Sequence, residues 1–347
     1  MTRLAAAVFA VALLAGGCST DSDTSSTAPT GQPKSASSAS QSAAAAPSSP
    51  APASTPSSTA PPAAPSTTAA DRSTRPKAAD ATVLAVGDIA RCVSHHDERT
   101  AAITAALLRT SPKAPVLAMG DLAYPDGSSR DYATCYRPSW GRFDAHLRPV
   151  PGNHEYRTPG ASGYFDYFGT SAGPRGKGWY SFDVGAWHVV ALNSNCDAVG
   201  CGPDSPQVRW LRADLAQHPS RCTLAYWHHP RFSSGEHGSD RDVATLWSTL
   251  EKAGADVVLN GHDHDYERFA PQRADGRADP RGIREFVVGT GGGERRVFAA
   301  TVRNSQKRMA GVDAVLQLRL RDGAYGWALV GSAGVAKPLD AGTGTCS

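Results

Sequence analysis

The chain reads Val116-Leu117-Ala118-Met119-Gly120-Asp121-Leu122-Ala123-Tyr124 between positions 116 and 124. The continuous apolar run that opens this stretch is typical of a short strand buried on both faces of a sheet. An aspartate and a tyrosine, both oxygen ligands, follow where the strand ends. Because open α/β sheets usually bind ligands at the carboxyl ends of their strands, the stretch predicts an α/β fold with a site at this edge.

Four further motifs of the same kind occur along the chain, and they are rich in carboxylate, amide and imidazole groups. Apolar runs of strand type precede three of them, which begin at Gly87, His228 and Gly261. In chain order the four motifs are Gly87-Asp88-Ile89-Ala90, Gly152-Asn153-His154-Glu155, His228-His229-Pro230 and Gly261-His262-Asp263-His264-Asp265-Tyr266-Glu267-Arg268. One such motif is a weak indication of metal binding, but five in series predict a single composite site.

The remaining patterns combine strands with helices. Amphipathic helices are predicted to begin near Ser205, a cap followed by a proline, and near Ser239. A hairpin is predicted at Asp322-Gly323, between strands at 312–320 and 324–330. Other strands are predicted at 82–86, 179–184, 187–192, 222–227, 256–260 and 285–288. Residues 81–347 therefore predict one large α/β domain built on mixed sheets.

The N-terminal part predicts export. Residues 1–18 contain an apolar stretch that is too short to span a bilayer, and they end in Leu14-Ala15-Gly16-Gly17-Cys18. This end resembles a bacterial lipoprotein signal, in which Cys18 carries a lipid, although Ala15 stands where Leu is usual. The alternative is an ordinary secretory signal with an incidental cysteine. The two interpretations place the protein on the extracellular face of the membrane or in the medium.

Residues 19–80 predict a disordered tether between this signal and the folded domain. From Ser19 to Ala70 the segment consists mainly of Ser, Thr, Ala and Pro, with no apolar side chain larger than Ala. Such a composition buries too little apolar surface to offset the entropy lost on ordering.

The net charge and the cysteine content argue against two classes of function, nucleic-acid binding and metal binding by cysteine. A net charge of +3 over 347 residues argues against a nucleic-acid binder that relies on a broad basic face. Besides Cys18 there are six cysteines, which in an exported protein predict up to three disulfides. Only Cys196 and Cys201 are close enough in sequence to suggest a particular pairing. No Cys-x-x-Cys unit occurs, so a structural role is favoured over metal binding.

The five motifs in this order resemble the calcineurin-like metallophosphoesterase superfamily, over roughly residues 82–335. Within it, 120–124 and 261–268 resemble the purple acid phosphatases, and the chain is similar to their compact, secreted bacterial members. The resemblance implies a four-layer αββα sandwich with two mixed β-sheets. It also implies hydrolysis of a small phosphorylated substrate, a phosphate monoester, by a metal-bound hydroxide.

The resemblance further implies two metal ions, Fe(III) plus a divalent Fe, Zn or Mn. Asp121 is then the bridging ligand. Asp88, Tyr124 and His264 complete the Fe(III) site, and Asn153, His228 and His262 complete the other. In the family, the histidine ligand that precedes a proline stands two residues before it, which favours His228 over His229. One departure is Ala90, where purple acid phosphatases usually have Gly and most other members have a ligand His.

Two further histidines receive roles from the resemblance. His154 is expected to face the phosphate as a general acid or as a hydrogen-bond donor in the transition state. His237, nine residues beyond His228, is similar in position to a substrate-contacting His, and the alternative is an ordinary surface-loop residue. The sequence 289–293 predicts a tight glycine turn near the site rather than a P-loop, because the P-loop lysine is missing.

Two alternatives to a phosphomonoesterase stay open at this point. The first is a phosphodiesterase or nucleotidase that uses the same fold and metals. The second, from another class, is a surface binding protein whose metal site is vestigial.

Overall fold

The computed structural model describes residues 79–347. The predicted signal of residues 1–18 lies outside the described residues, as does the predicted tether of residues 19–80 except for its last two positions. Between residues 79 and 347, no helix is both long enough and apolar enough to cross a membrane.

The described residues form thirteen strands and seven α-helices. The strands are β1 Ala81–Val86, β2 Val116–Met119, β3 Leu147–Val150, β4 Tyr180–Val184, β5 Trp187–Ala191, β6 Cys222–Tyr226, β7 Val257–Asn260, β8 Asp265–Phe269, β9 Arg284–Val288, β10 Ser305–Ala310, β11 Val315–Arg321, β12 Ala324–Val330 and β13 Asp340–Thr345. The helices are α1 His96–Thr110, α2 Ser129–Asp131, α3 Arg137–Ser139, α4 Ser162–Phe168, α5 Cys196–Val199, α6 Pro206–Gln217 and α7 Ala244–Lys252. A π-helical turn (Tyr132–Tyr136) joins α2 to α3, and 3₁₀ turns occupy Gly141–His146, Glu155–Arg157, Pro159–Ala161 and Gly169–Ala172.

The strands form two mixed sheets, as the resemblance implies. The first has the order β13-β12-β11-β1-β2-β3, in which β1, β2 and β3 are parallel and the other pairs are antiparallel. The second has the order β10-β8-β9-β7-β6-β5-β4, with a parallel centre of β5, β6, β7 and β9.

Side-chain alternation along the central strands builds the layers. In β1, Val83 and Ala85 enter the core between the two sheets, whereas Leu84 and Val86 pack on the other face with α1. In β6, Leu224 enters the same inter-sheet core, and Ala225 packs on the outer face with residues of α6 and α7. Because successive residues of a strand point to opposite faces, each sheet is covered on both sides. The predicted αββα sandwich is confirmed.

Most of the predicted elements are present, with two boundaries corrected. Ser205 caps α6 by accepting a hydrogen bond from the Val208 amide at 3.2 Å. The other predicted helix begins at Ala244 and not near Ser239, because Ser239 accepts a hydrogen bond from the Ser233 amide and belongs to the preceding loop. The hairpin at Asp322-Gly323 is confirmed, although its first strand begins at Val315 rather than at residue 312.

Three disulfides are present, which confirms the number expected from the sequence. They are Cys92–Cys135, Cys196–Cys201 and Cys222–Cys346. The second is the local pair that the sequence suggested. The third ties the chain after β13 to the start of β6, across a sequence separation of 124 residues. Cross-links over long loops restrict the unfolded chain most.

A buried histidine holds the β4–β5 hairpin to α6. The Nδ1 atom of His188 lies 2.9 Å from Asp183 Oδ1, and its Nε2 atom lies 2.8 Å from Asp214 Oδ2. Burial alone would lower the pKa of His188, but hydrogen bonds to the two carboxylates outweigh it and raise that pKa above its ordinary value. Burial alone would raise the pKa of Asp214, but the hydrogen bond from His188 outweighs it and lowers that pKa. His218, which stacks on His188 at 4.7 Å, is the other ionisable group of the cluster.

We expect His188→Gln to destabilise the domain by about 1–3 kcal/mol near pH 5.5, because the buried Asp214 carboxylate loses its imidazole partner and keeps the Ser181 hydroxyl and His218. The His188 contribution is complete below the ordinary imidazole pKa of about 6.5 and is lost as the pH rises through the raised pKa of the folded state. The Asp214 contribution is lost instead as the pH falls through its lowered pKa. Urea unfolding of wild type and variant between pH 4 and pH 9 measures the difference. His146→Gln is the matched control, since His146 Nδ1 contacts a backbone carbonyl, that of Ala114. A difference that does not shrink at high pH contradicts the expectation.

Candidate metal centre

Five strands of the two sheets place five of the seven predicted ligands at one pole of the sandwich. Each of the five follows its strand by two or three residues. Parallel strands of a sheet end at the same edge, so these side chains lie close together. The pairs are β1 with Asp88, β2 with Asp121, β3 with Asn153, β6 with His228 and β7 with His262.

Three of these residues have a left-handed backbone. The φ angles are 61° at Asp88, 52° at Asp121 and 71° at His262. Residues other than glycine rarely adopt this conformation, which costs on the order of 1–3 kcal/mol each and is concentrated at functional sites. The left-handed conformation turns the chain sharply after each of the three strands, so that the three side chains face one another at the pole.

A first cluster joins the three side chains predicted for the Fe(III) site. The Tyr124 hydroxyl lies 3.1 Å from Asp88 Oδ1 and 3.0 Å from His264 Nε2. Asp88 Oδ1 and His264 Nε2 are themselves 3.4 Å apart. One hydroxyl proton cannot satisfy all these acceptors at once, and the group combines oxygens with one imidazole nitrogen. This is a donor set for a cation.

A second cluster forms around His228. Its Nε2 atom lies 3.0 Å from Asn153 Oδ1 and 3.2 Å from His262 Nδ1. Asp121 lies between the clusters, since its Oδ2 atom is 3.4 Å from His228 Nε2 and 3.3 Å from the Tyr124 hydroxyl. The structure thus brings together all seven residues predicted as ligands, with Asp121 in the middle.

Backbone carbonyls determine which nitrogen of two imidazoles faces the centre. His228 Nδ1 donates to the Met119 carbonyl at 2.8 Å, and His264 Nδ1 donates to the carbonyl of Glu294. Because a carbonyl only accepts, each Nδ1 carries a proton and each Nε2 points into the centre.

The glycine-rich segment 289–293 lies against the centre, as expected from the sequence. A Cβ atom on Gly293 would come within 2.8 Å of the His264 ring, so only glycine allows the chain to pass there. This passage places the Glu294 carbonyl on His264. That contact could not be predicted from the sequence, because any residue supplies a carbonyl.

Opposite charges at the centre stabilise one another. Burial alone would raise the pKa of Asp121, but the adjacent His228 and His154 outweigh it and lower that pKa well below its ordinary value. For His228, burial is in turn outweighed by Asp121, which raises its pKa to about 10. Burial and the carboxylates of Asp88 and Asp121 raise the pKa of Tyr124 well above its ordinary value. Buried carboxylates beside imidazoles therefore attract positive charge to this centre, and a cation bound there replaces protons. The residues present fit a pair of metal ions.

Glu155, which was not predicted from the sequence to have a role, also helps to build the centre. Its buried carboxylate accepts hydrogen bonds from the amides of Asp121 at 2.8 Å, Leu122 at 2.9 Å and Gly152 at 2.7 Å. Burial, and then repulsion from Asp121, raise the pKa of Glu155 to about 7. Glu155 ties the loop after β2 to the loop after β3. The one sequence feature that could have indicated this role is the position of Glu155 at the end of the motif 152–155.

His154 stands at the edge of the centre. Its amide donates to Asp121 Oδ1 at 2.9 Å, and its ring Nδ1 donates to the Pro125 carbonyl at 2.5 Å. The Nε2 atom is left 3.8 Å from Asp121 Oδ2. With Nδ1 protonated and committed to a carbonyl, Nε2 is the atom available to a molecule at the centre.

Two more histidines surround His262. The His237 ring stacks on it with centroids 4.3 Å apart, and the His229 ring lies 4.5 Å from it. Burial, followed by the charge of Arg296, lowers the pKa of His237. Burial and the charge of His228 lower the pKa of His229 to about 3, and its Nδ1 atom lies 2.8 Å from the Ser194 hydroxyl. His237 therefore lies beside the centre, on a loop where its side chain is exposed.

Comparison with known proteins agrees with this geometry. Purple acid phosphatase 15 of Arabidopsis thaliana is 28% identical over 229 residues, which cover 55% of this chain and 42% of that one. The chain thus spans less than half the length of this relative. The structure of a purple acid phosphatase from yellow lupin seeds shares the fold, with a TM-score of 0.63 at 18% identity over 78% of this chain and 54% of that one. GAP50, the anchor in the inner membrane complex of Plasmodium, also shares it, with a TM-score of 0.57 at 13% identity over 77% of this chain and 89% of that one.

The family profile described as calcineurin-like phosphoesterase matches residues 81–266, more than half of the chain and the part that carries every predicted ligand. The chain belongs to the calcineurin-like phosphoesterase family.

Proposed function

We propose that the protein is a metal-dependent phosphomonoesterase of the purple acid phosphatase type. The observation that carries the proposal is the place of Asp121, whose Oδ2 atom lies within 3.4 Å of side chains from both donor clusters. A binuclear phosphoesterase requires such a shared carboxylate. The similarity to Arabidopsis purple acid phosphatase 15 supports the choice within the family.

The two donor clusters are proposed to hold one metal ion each, with Asp121 shared. The first cluster is Asp88, Tyr124 and His264, and the second is Asn153, His228 and His262. Bound there, the ions would supply positive charge against the phosphate and an activated water. The loops after five strands fix the donors in advance, so little reorganisation is needed when the ions bind.

The remaining proposed roles belong to His154 and His237. His154 holds a proton at Nε2 and gives it to the leaving oxygen of the ester, while the Pro125 carbonyl keeps the ring oriented through Nδ1. His237, whose ring stacks on His262 with centroids 4.3 Å apart, is available to contact the phosphate.

For the metals, Fe(III) in the first cluster is proposed, with Fe, Zn or Mn in the second. Tyr124 supports this choice, because its hydroxyl lies 3.1 Å from Asp88 Oδ1 and 3.0 Å from His264 Nε2, and a cation bound there would favour the tyrosinate over the phenol. Protein purified in air is expected to show a tyrosinate-to-Fe(III) absorption band that Tyr124→Phe abolishes. Bound Zn or Mn without such a band would exclude the iron and leave the phosphatase proposal intact.

Substrate class is tested by comparing p-nitrophenyl phosphate, bis-p-nitrophenyl phosphate and nucleoside monophosphates, with Fe, Zn and Mn supplied across a pH range. A phosphomonoesterase prefers the first. Preference for the diester or for nucleotides would favour the phosphodiesterase or nucleotidase alternative. No bound metal and no activity on any substrate would leave the surface binding protein.

We also propose that the protein is exported and held at the membrane through a lipid on Cys18. The three disulfides support an oxidising location, and the sequence of 14–18 supports the lipid. Cys18→Ala is expected to move the protein from the membrane fraction to the soluble fraction. The proposed partner is a small phosphorylated substrate, with no nucleic-acid surface involved.

A further inference from the structure

Asp263 separates the two histidines His262 and His264, and its buried carboxylate serves a different loop. That loop, residues 233–238, follows the His228 motif in the chain and contains His237. Asp263 Oδ1 accepts a hydrogen bond from the His237 amide at 2.8 Å, and Oδ2 accepts one from the Gly238 amide at 3.2 Å. The Ser233 hydroxyl donates a third bond to Oδ2.

The 233–238 loop wraps closely around this carboxylate. A Cβ atom on Gly235 would come within 2.2 Å of Asp263 Cγ, so the glycine is required for the approach. The Gly235 amide donates in turn to the Ser233 hydroxyl at 3.0 Å. Asp263 is therefore the centre around which the loop is folded, and its charge is shared among three donors.

A second carboxylate, that of Glu267, also anchors the loop. Glu267 accepts hydrogen bonds from the Ser234 amide at 2.7 Å and from the Ser234 hydroxyl at 2.6 Å. Asp263 and Glu267 belong to the same motif as His262 and His264. The segment that supplies two proposed metal ligands thus also determines the path of the loop.

The loop delivers His237 to the metal centre. The bond from Asp263 is made to the backbone of His237 itself, and the His237 ring then stacks on His262 at 4.3 Å with an angle of 27° between the rings. Hydrogen bonds to a charged acceptor are about twice as strong as neutral ones and specify geometry more closely. Without the charge at residue 263, the backbone of His237 has no strong anchor.

We propose that Asp263 is a positioning residue that holds His237 over the metal centre, so that the spacer of the His-x-His unit orders the substrate-facing loop. The inference rests on the proposed function for the role of His237. Asp263 itself acts through His237 and touches neither substrate nor metal in this scheme.

The test is a double-mutant cycle on metal-loaded protein with Asp263→Asn, His237→Ala and the double variant. Asn keeps the size and one acceptor oxygen but removes the charge. Each single variant is expected to lower kcat/KM for p-nitrophenyl phosphate by about 10-fold or more. The double variant is expected to be no worse than His237→Ala, because Asp263 acts through that residue. Metal content stays at the wild-type value in all of them.

A second measurement is independent of activity. Hydrogen exchange of the 233–238 amides is expected to accelerate in Asp263→Asn and to stay at the wild-type rate in Asp256→Asn. Asp256 is the matched control, since its buried carboxylate accepts amide bonds from Thr223 at 2.9 Å and Ser347 at 2.8 Å.

Unchanged exchange, additive losses in the cycle, or loss of metal in Asp263→Asn would each overturn the inference. If exchange accelerates but the wild type hydrolyses no phosphate ester with any metal, the proposed function fails while the role of Asp263 in ordering the loop stands.

Discussion

Asp121→Asn is expected to lower kcat/KM for p-nitrophenyl phosphate by about 10³-fold or more and to reduce bound metal to less than one ion per chain. Residues that merely support a metal ligand cost about 10–100-fold when they are changed. A ligand shared by two ions should therefore cost more. Asn keeps the oxygen that accepts from the His154 amide, so the local backbone contact is preserved while the charge is lost.

Charge is the reason that the effect is large. The Oδ2 atom of Asp121 faces His228 Nε2 on one side and the Tyr124 hydroxyl on the other. In the variant both clusters lose the anion that they share, so two cations held there would repel each other with less compensating charge.

Elemental analysis and steady-state kinetics on the same sample measure the two effects together, and Asp256→Asn controls for the loss of any buried carboxylate. Thermal unfolding separates misfolding from loss of metal. A variant that keeps two ions and most of its activity would falsify the bridging role.

Much of this fold was predictable because its central strands are short, apolar and buried on both faces. The four residues of β2 match the predicted run residue for residue. Three of the four edge strands, β3, β10 and β13, were not predicted, because their sequences carry no such signal. β13, for example, reads Asp340-Ala341-Gly342-Thr343-Gly344-Thr345, and it is a strand because β12 offers it a free edge.

In the candidate site, too, one part was predictable from the sequence and another was not. The side chains that come together were predictable, since residue type and spacing indicate which of them can bind a metal. The contacts that orient them were not. The Met119 and Glu294 carbonyls on His228 and His264 are main-chain groups, so no pattern of side chains identifies them.

His154→Ala is expected to lower kcat for an alkyl phosphate such as glycerol phosphate by about 10²–10⁴-fold, with metal content unchanged. The loss for p-nitrophenyl phosphate is expected to be much smaller. The nitrophenolate leaves without a proton, whereas an alkoxide needs one, so only the alkyl ester depends fully on a proton donor.

The geometry gives the reason for assigning this proton to His154. Its Nδ1 proton is committed to the Pro125 carbonyl, so a protonated ring offers its second proton only at Nε2, on the side of Asp121. Its ring touches the centre at Tyr124, with centroids 4.5 Å apart, yet it belongs to neither donor cluster. Removing it should therefore spare the metals. His95→Gln is the matched control, because that exposed ring pairs with Glu98 on α1. Equal losses on the two substrates would show that His154 stabilises charge on the phosphate and does not protonate the leaving group.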